Sequence, residues 1–333
     1  MALLLAGCRI DDARAPFTDS QIPPGLEQRF YPPEGWAWGL VKPADAPAAR
    51  YGVCAPPRRP RADILILAGY EGPAEAWFET ARALTAEGYV VWVLEPVGAG
   101  GSGRYGLPRD LRHAPSLDPD VQAARTLAEQ VIGRRPLIVL ASQSAAPTAL
   151  SAIASGLKAD GLILSSPQLQ ADAEADPSQA ELMRTVGLGG VRAPGGEGWR
   201  RDGPDDRTLG ITHDAKRGQV RLLWQTANPD LRLGGPSLAW NTAFASAETR
   251  AQGLEPGRLA VPTLVLTNDQ RLKPARQLCG RLNHCTLQPF GPAGSALHLE
   301  VDEVRGAWLS AITAFIEPNI AGFSPPPLAA SGA

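Results

Sequence analysis

The stretch LIVLASQSAAPTAL, from Leu137 to Leu150, places two serines where an apolar run gives way to an alanine-rich one. The apolar run reads as a buried strand and the alanine-rich run as a helix. A strand that turns sharply into a helix through a serine is one way to expose a nucleophilic hydroxyl. The glycines of G-x-S-x-G are absent, but the turn needs only small residues two positions either side of its nucleophile. With Ser144 as nucleophile those positions are Ser142 and Ala146; with Ser142 one of them is Leu140, which would collide. The steric rule therefore selects Ser144. Pro147 falls in the first helical turn, where a missing N–H costs little.

A serine hydroxyl is a poor nucleophile at neutral pH and needs a base that is itself held by a carboxylate. The chain has four histidines: His113, His213, His284 and His298. In a parallel-sheet hydrolase the order is serine, then acid, then histidine. His113 precedes the serine, His213 lies in an irregular stretch, and His284 sits at the wrong end of a strand. His298, after the last strand in GPAGSALHLEVDEVR, is the candidate base. Asp269 directly follows the strand TLVLTN and is the candidate acid, whereas Glu300 and Asp302 are too close in sequence to His298 to orient it easily. The two backbone N–H groups of an oxyanion hole are assigned to Ala145 and to Tyr70 in AGYEGP.

The elements that must position these residues alternate. Strands are expected at 64–69, 89–95, 136–142, 161–166, 263–268 and 285–290, with helices at 74–87, 120–132, 145–155, 274–282 and 301–316. Such alternation implies right-handed crossovers and a mostly parallel sheet covered on both faces, the α/β class. Before it, WAWGLVK and RYGVCAP pattern as an antiparallel hairpin. The expected organisation is a signal remnant and tether over 1–30, a core over 31–167 and 259–317, an inserted lid over 168–258, and a tail over 318–333. GAGGSG at 98–103 matches G-x-G-x-x-G, but the three prolines that follow it give no helix to hold a pyrophosphate. It reads as a turn, and no cofactor is expected.

The composition bounds the rest. A formal charge of −2, from 32 Lys plus Arg against 34 Asp plus Glu, gives no footprint for nucleic acid. Of four cysteines none has zinc spacing, so no metal site is expected. Cys54 reads as a free buried thiol, while Cys279 and Cys285 flank a helix-to-strand turn and could pair in an oxidising compartment. Leu5-Ala6-Gly7-Cys8 resembles a bacterial lipobox, although the residues before it are fewer than a signal peptide needs and none is basic. If Cys8 is lipidated, the protein faces the periplasm on a membrane surface of the cell envelope; otherwise it is cytoplasmic.

Together these motifs resemble the α/β-hydrolase superfamily, in particular its bacterial lysophospholipase and monoacylglycerol lipase branch. ILILAGYEGPAEAWFETARALTAEGYVVWVLEPVGAGGSGR is similar to that branch's oxyanion strand, helix and glycine turn. GLILSSP, NPDLRLGGPSLAW and ALHLEVDEVR resemble its pre-lid strand, a lid segment and its histidine loop. The resemblance spans roughly residues 60–317. Four features depart from the pattern: Ser-Gln-Ser-Ala-Ala stands for G-x-S-x-G, Glu95 for an aspartate, the acid loop is short with Gln270 in part of its register, and the stretch after His298 is short.

The resemblance implies a serine hydrolase of carboxylic esters, lysophospholipid-like or monoacylglycerol-like. In it Ser144 attacks, His298 relays the proton, Asp269 holds the imidazole, and the Tyr70 and Ala145 N–H groups bind the oxyanion. A serine aminopeptidase on the same fold is the alternative. It needs a lid carboxylate for a substrate ammonium, and Glu181, Glu197, Asp202, Asp205, Asp206 and Asp214 are available. A non-catalytic binding member of the fold is the third reading.

Overall fold

The computed structural model describes residues 19–106, 108–169 and 189–322. Cys8 with its lipobox-like neighbours, the tether as far as residue 18, Glu181 and the end of the tail lie outside the described residues. Eight strands form one sheet in the order β1-β2-β4-β3-β5-β6-β7-β8. They are β1 (Ala37–Val41), β2 (Ala49–Cys54), β3 (Ala62–Leu67), β4 (Tyr89–Leu94), β5 (Leu137–Ser142), β6 (Gly161–Ser165), β7 (Thr263–Thr267) and β8 (Cys285–Pro289). β1 and β2 form the antiparallel hairpin and add antiparallel to β4; from β4 to β8 every pairing is parallel. The architecture is the expected α/β one.

The central strands are buried at every position, which is why they read as unbroken apolar runs. Successive side chains divide between the two faces. Leu65, Leu67, Val139, Leu162, Leu164 and Val265 pack on one face against α2 (Asp118–Thr126), α3 (Ala146–Ala154) and α6 (Leu272–Cys279). Ile64, Ile66, Ile138, Leu140, Ile163 and Leu264 pack on the other against α1 (Phe78–Ala86) and α7 (Asp302–Ile320). α7 offers Trp308, Ile312, Ile316 and Ile320, one buried residue per turn. It runs beyond the expected end at 316, and Pro318 does not stop it, because a proline this near the C-terminus removes only one of the last backbone bonds.

Between β6 and β7 the chain leaves the sheet and carries α4 (Arg217–Ala227) and α5 (Leu238–Gln252). Arg217 anchors this stretch: Nε and Nη2 donate to Glu79, Nη2 also to Asp302 at 2.6 Å, and Nη1 to Asp214 and the Glu300 carbonyl. A buried guanidinium shared by three carboxylates fixes α4 over the ends of α1 and α7. Beneath β2, Arg50 forks onto Glu95 at 2.7 and 2.8 Å and reaches Glu75 at 2.8 Å, all three side chains being wholly buried. Glu95 also accepts the N–H groups of Ala74 and Gly101, so it ties the oxyanion-loop region to the glycine turn. In that turn Gly98 and Gly100 take positive φ, as expected for a turn. Cys279 and Cys285 are joined by a disulfide, and Cys54 is free and buried. No helix among the described residues is long and apolar enough to cross a membrane.

Candidate functional site

The turn after β5 is the focus of the site, and the residue at its apex is Gln143. Its φ is +47°, in the left-handed region that costs a non-glycine residue about 1–2 kcal/mol. Ser142 is still extended, with φ −100° and ψ 131°, and pairs with Ser165 as the last residue of β5. Ser144 already belongs to the 3-10 turn Gln143–Ala145 that leads into α3. The expectation that Ser144 is the apex is therefore corrected by one residue. Smallness does not fix the register, because Ala141 and Ala145 flank Gln143 as well as Ser142 and Ala146 flank Ser144. The strand end does.

The shift rearranges the expected oxyanion hole. The N–H following the apex belongs to Ser144, not Ala145. It donates to Glu71 Oε1 at 3.2 Å. The Tyr70 N–H, the other expected donor, is spent on Ser144 Oγ at 2.9 Å. Both backbone donors beside the apex thus have internal acceptors, one of them a carboxylate. Gly69 permits this approach: a Cβ there would lie 1.6 Å from Glu71 Oε2 and 2.9 Å from Ser144 Oγ.

His298 sits in the 3-10 turn Leu297–Leu299, between β8 and α7, where the chain order put it. Its ring stacks on Trp77 with centroids 3.7 Å apart and planes 5° apart. Among the described residues its buried Nδ1 has no hydrogen-bond partner. Burial, helped by the nearby Arg305 charge, pushes its pKa down to about 3, so the imidazole is neutral at pH 7.

Asp269 does not hold this ring. Its side chain is exposed, and its N–H caps the Gly291 carbonyl. The buried polar side chain at the end of β7 is Asn268, whose Nδ2 donates to the Ala293 carbonyl at 3.0 Å. Glu300 turns to His213 Nδ1 at 2.9 Å and to the Gly294 N–H at 2.7 Å, and Asp302 pairs with Arg217. Among the described residues Ser144, His298 and Asp269 share no hydrogen bond.

The cavities separate these groups further. Ser144 lines a small apolar pocket with Leu67, Leu94, Asp120 and Thr148. His298 lines a different one with Gln143, Glu71, Trp77, Asp206 and Arg221. Gln143, Glu71 and Arg221 also face a cavity of about 660 Å³, roofed by the stretch between β6 and β7. Behind Tyr70, Asp120 accepts the phenol O–H at 2.9 Å and the Val97 N–H at 2.6 Å, and burial pushes its carboxyl up to about 7. Sequence reasoning missed Gln143 and Glu71. The signal for Gln143 was the small pair Ala141 and Ala145. Glu71 gave none, because only the folded loop brings its carboxylate to the turn. Among the described residues no cluster of His, Cys, Asp and Glu is disposed to hold a metal ion.

The same fold is found in several solved hydrolases. A soluble variant of monoglyceride lipase from Saccharomyces cerevisiae, in complex with a substrate analogue, superposes with a TM-score of 0.64 at 14% identity, over 86% of this chain and 97% of that one. A monoacylglycerol lipase from Paleococcus ferrophilus gives 0.59 at 14% identity, over 81% and 98%. A thermostable carboxyl esterase from Bacillus coagulans, in complex with glycerol, gives 0.64 at 14% identity, over 86% and 100%. No curated protein sequence matches the chain. The profile of one family, described as serine aminopeptidase, S33, matches residues 58–275, which takes in the oxyanion loop, the elbow and the stretch between β6 and β7. With the eight-stranded sheet and the strand-to-helix elbow already in place, that match shows that the chain belongs to the serine aminopeptidase S33 family of α/β-hydrolase-fold proteins.

Proposed function

We propose that this chain is a ligand-binding member of its hydrolase family that forms no serine acyl-enzyme. The observation that carries the reading is Gln143 at the apex of the elbow. A carboxamide there is no nucleophile, and the adjacent Ser144 N–H faces the Glu71 carboxylate, where an oxyanion would need a free donor. The imidazole of His298, neutral and without a partner at Nδ1, lacks the carboxylate that makes such a ring a strong base. Labelling with a fluorophosphonate probe and turnover of p-nitrophenyl esters test this. Both are expected at background, unchanged by Ser144→Ala. Ester turnover abolished by Ser144→Ala or by His298→Ala would overturn it.

A second reading is favoured by one specific contact, the Tyr70 N–H on Ser144 Oγ. Here Ser144 cleaves a carboxylic ester, lysophospholipid-like or monoacylglycerol-like, as the names of the lipase and esterase neighbours suggest. It needs His298 and Asp269 to close on Ser144 in the substrate complex. The family description suggests a peptidase variant of it, which aminoacyl anilides would distinguish from an esterase. Leu5-Ala6-Gly7-Cys8 supports attachment to the envelope through a lipidated Cys8. An unmodified Met1 terminus in the mass spectrum of the native protein would exclude it.

A further inference from the structure

The 660 Å³ cavity at the elbow is lined by a cation to which the described residues give no hydrogen-bonded or ion-paired partner. Arg112 lines it, and among the described residues its side chain makes no hydrogen bond and no ion pair; its Nε is buried without a partner. The other arginines that line it have partners: Arg221 is paired with Asp206 at 2.6 Å, Arg200 lies by Glu197 and Asp202, and Arg271 donates to the Ser166 carbonyl. Arg112 is not a mobile surface residue. Its backbone bridges Pro236, with its N–H on the Gly235 carbonyl and its carbonyl on the Ser237 N–H. Its guanidinium lies 5.3 Å from the Trp240 ring, which in turn packs against Tyr70. Burial pulls its pKa down. The Glu71 charge acts on this guanidinium without pairing with it, and a fixed, half-buried guanidinium that makes no hydrogen bond is an unfavourable arrangement that an external anion would relieve.

The charge and the walls narrow the chemistry of that anion. Glu71 faces the same cavity, and its negative charge repels a dianion such as phosphate more strongly than a monoanion. A monoanion neutralises Arg112 one for one. The remaining wall is mixed: Gln143, Gln168 and Gln270 contribute polar groups, Trp199, Ile211, Leu222 and Leu233 an apolar part, and the volume lies in the range that encloses a small organic ligand. Building on the binding role of this cavity, we propose that it takes an amphiphilic monocarboxylate, with the carboxylate held by the fork of Arg112 and the alkyl or aryl body on the Trp199 side.

Isothermal titration of the full chain with octanoate, methyl octanoate and inorganic phosphate tests the proposal. Octanoate is expected to bind saturably and about tenfold or more tighter than its uncharged ester, the gain of one charge-assisted contact. Arg112→Gln is expected to erase that preference while leaving the ester's affinity unchanged. This variant removes a half-buried charge that has no ion pair among the described residues, so its thermal midpoint is expected to equal or exceed that of the wild type. Equal binding of acid and ester by the wild type, a preference that survives Arg112→Gln, or displacement of octanoate by millimolar phosphate would each overturn the proposal. Should Arg112→Gln fail to fold, the comparison of acid with ester in the wild type still decides. Methanol released from methyl octanoate in the same samples reports separately on turnover. Its appearance would overturn the non-catalytic reading and leave the Arg112 result standing.

Discussion

Replacing Asp120 by asparagine changes one proton and almost nothing else. The amide keeps an oxygen for the Val97 N–H, and the Tyr70 phenol, which now lies 3.1 Å from the Val97 carbonyl, can donate there instead. In the wild type burial raises the Asp120 carboxyl from 3.8 to about 7. The folded state therefore holds a proton that the unfolded chain has released between those two values. Stability falls with rising pH wherever the native state binds more protons. This group's contribution is intact below pH 4, declines through the window, and is flat above about pH 7. A tenfold change in proton affinity is worth about 1.4 kcal/mol, so the rise at Asp120 amounts to about 4 kcal/mol at most. Urea denaturation of wild type and Asp120→Asn at half-unit steps from pH 4.5 to 8 reads the difference directly, because every other titrating group is common to both. The variant is expected to gain on the wild type by about 1 kcal/mol per pH unit up to pH 7 and by nothing above it. A stability difference that stays constant across the window would refute the assignment of a protonated, buried carboxyl behind the oxyanion loop.

His298 has the opposite sign: its folded pKa of about 3 lies below the unfolded value of 6.5, so its stability contribution is present above pH 6.5 and is lost as the pH falls toward 3. His298→Gln is expected to flatten acid denaturation over that interval, read by circular dichroism; an unaltered acid limb would count against a buried neutral imidazole. Arg50→Met leaves Glu75 and Glu95 buried without their cation and is expected to cost about 3–5 kcal/mol in urea unfolding at pH 7. Cys279→Ser opens a loop with a sequence separation of 6 and is expected to cost about 2 kcal/mol by the loop-entropy estimate, with reduction of the wild type having the same effect.

The fold was legible because burial on both faces leaves a signature that no polar residue interrupts. ILIL, YVVWVL and LIVLA are strands for the same reason that they are apolar throughout. The place of His298, between the last strand and the last helix, was legible from chain order alone, since it does not depend on side-chain detail. The elbow was legible as a turn but not in register. The steric rule admits two apices one residue apart, and a search confined to serines selects Ser144 over the glutamine between the two serines. Asp269 failed for a related reason: sequence places a carboxylate after β7, but whether that residue or its neighbour turns inward is decided by the loop, and Asn268 is the one that does. Glu71 and Arg112 were illegible because their roles exist only where separate loops meet around a cavity. Arg112 is set by its bridge to Pro236, which lies 124 residues away.

On the binding reading proposed above, the Glu71 carboxylate on the Ser144 N–H bears on any attempt to install a serine nucleophile at the apex. It is a tethered competitor, joined through a few bonds to the loop it occupies, and such a tether gives an effective concentration of roughly millimolar or more. An acyl oxygen arriving from solution must displace it, so Gln143→Ser alone would install a hydroxyl beside an occupied hole. Building a nucleophile there is then a two-site problem, and the second site is the residue that the sequence least advertises.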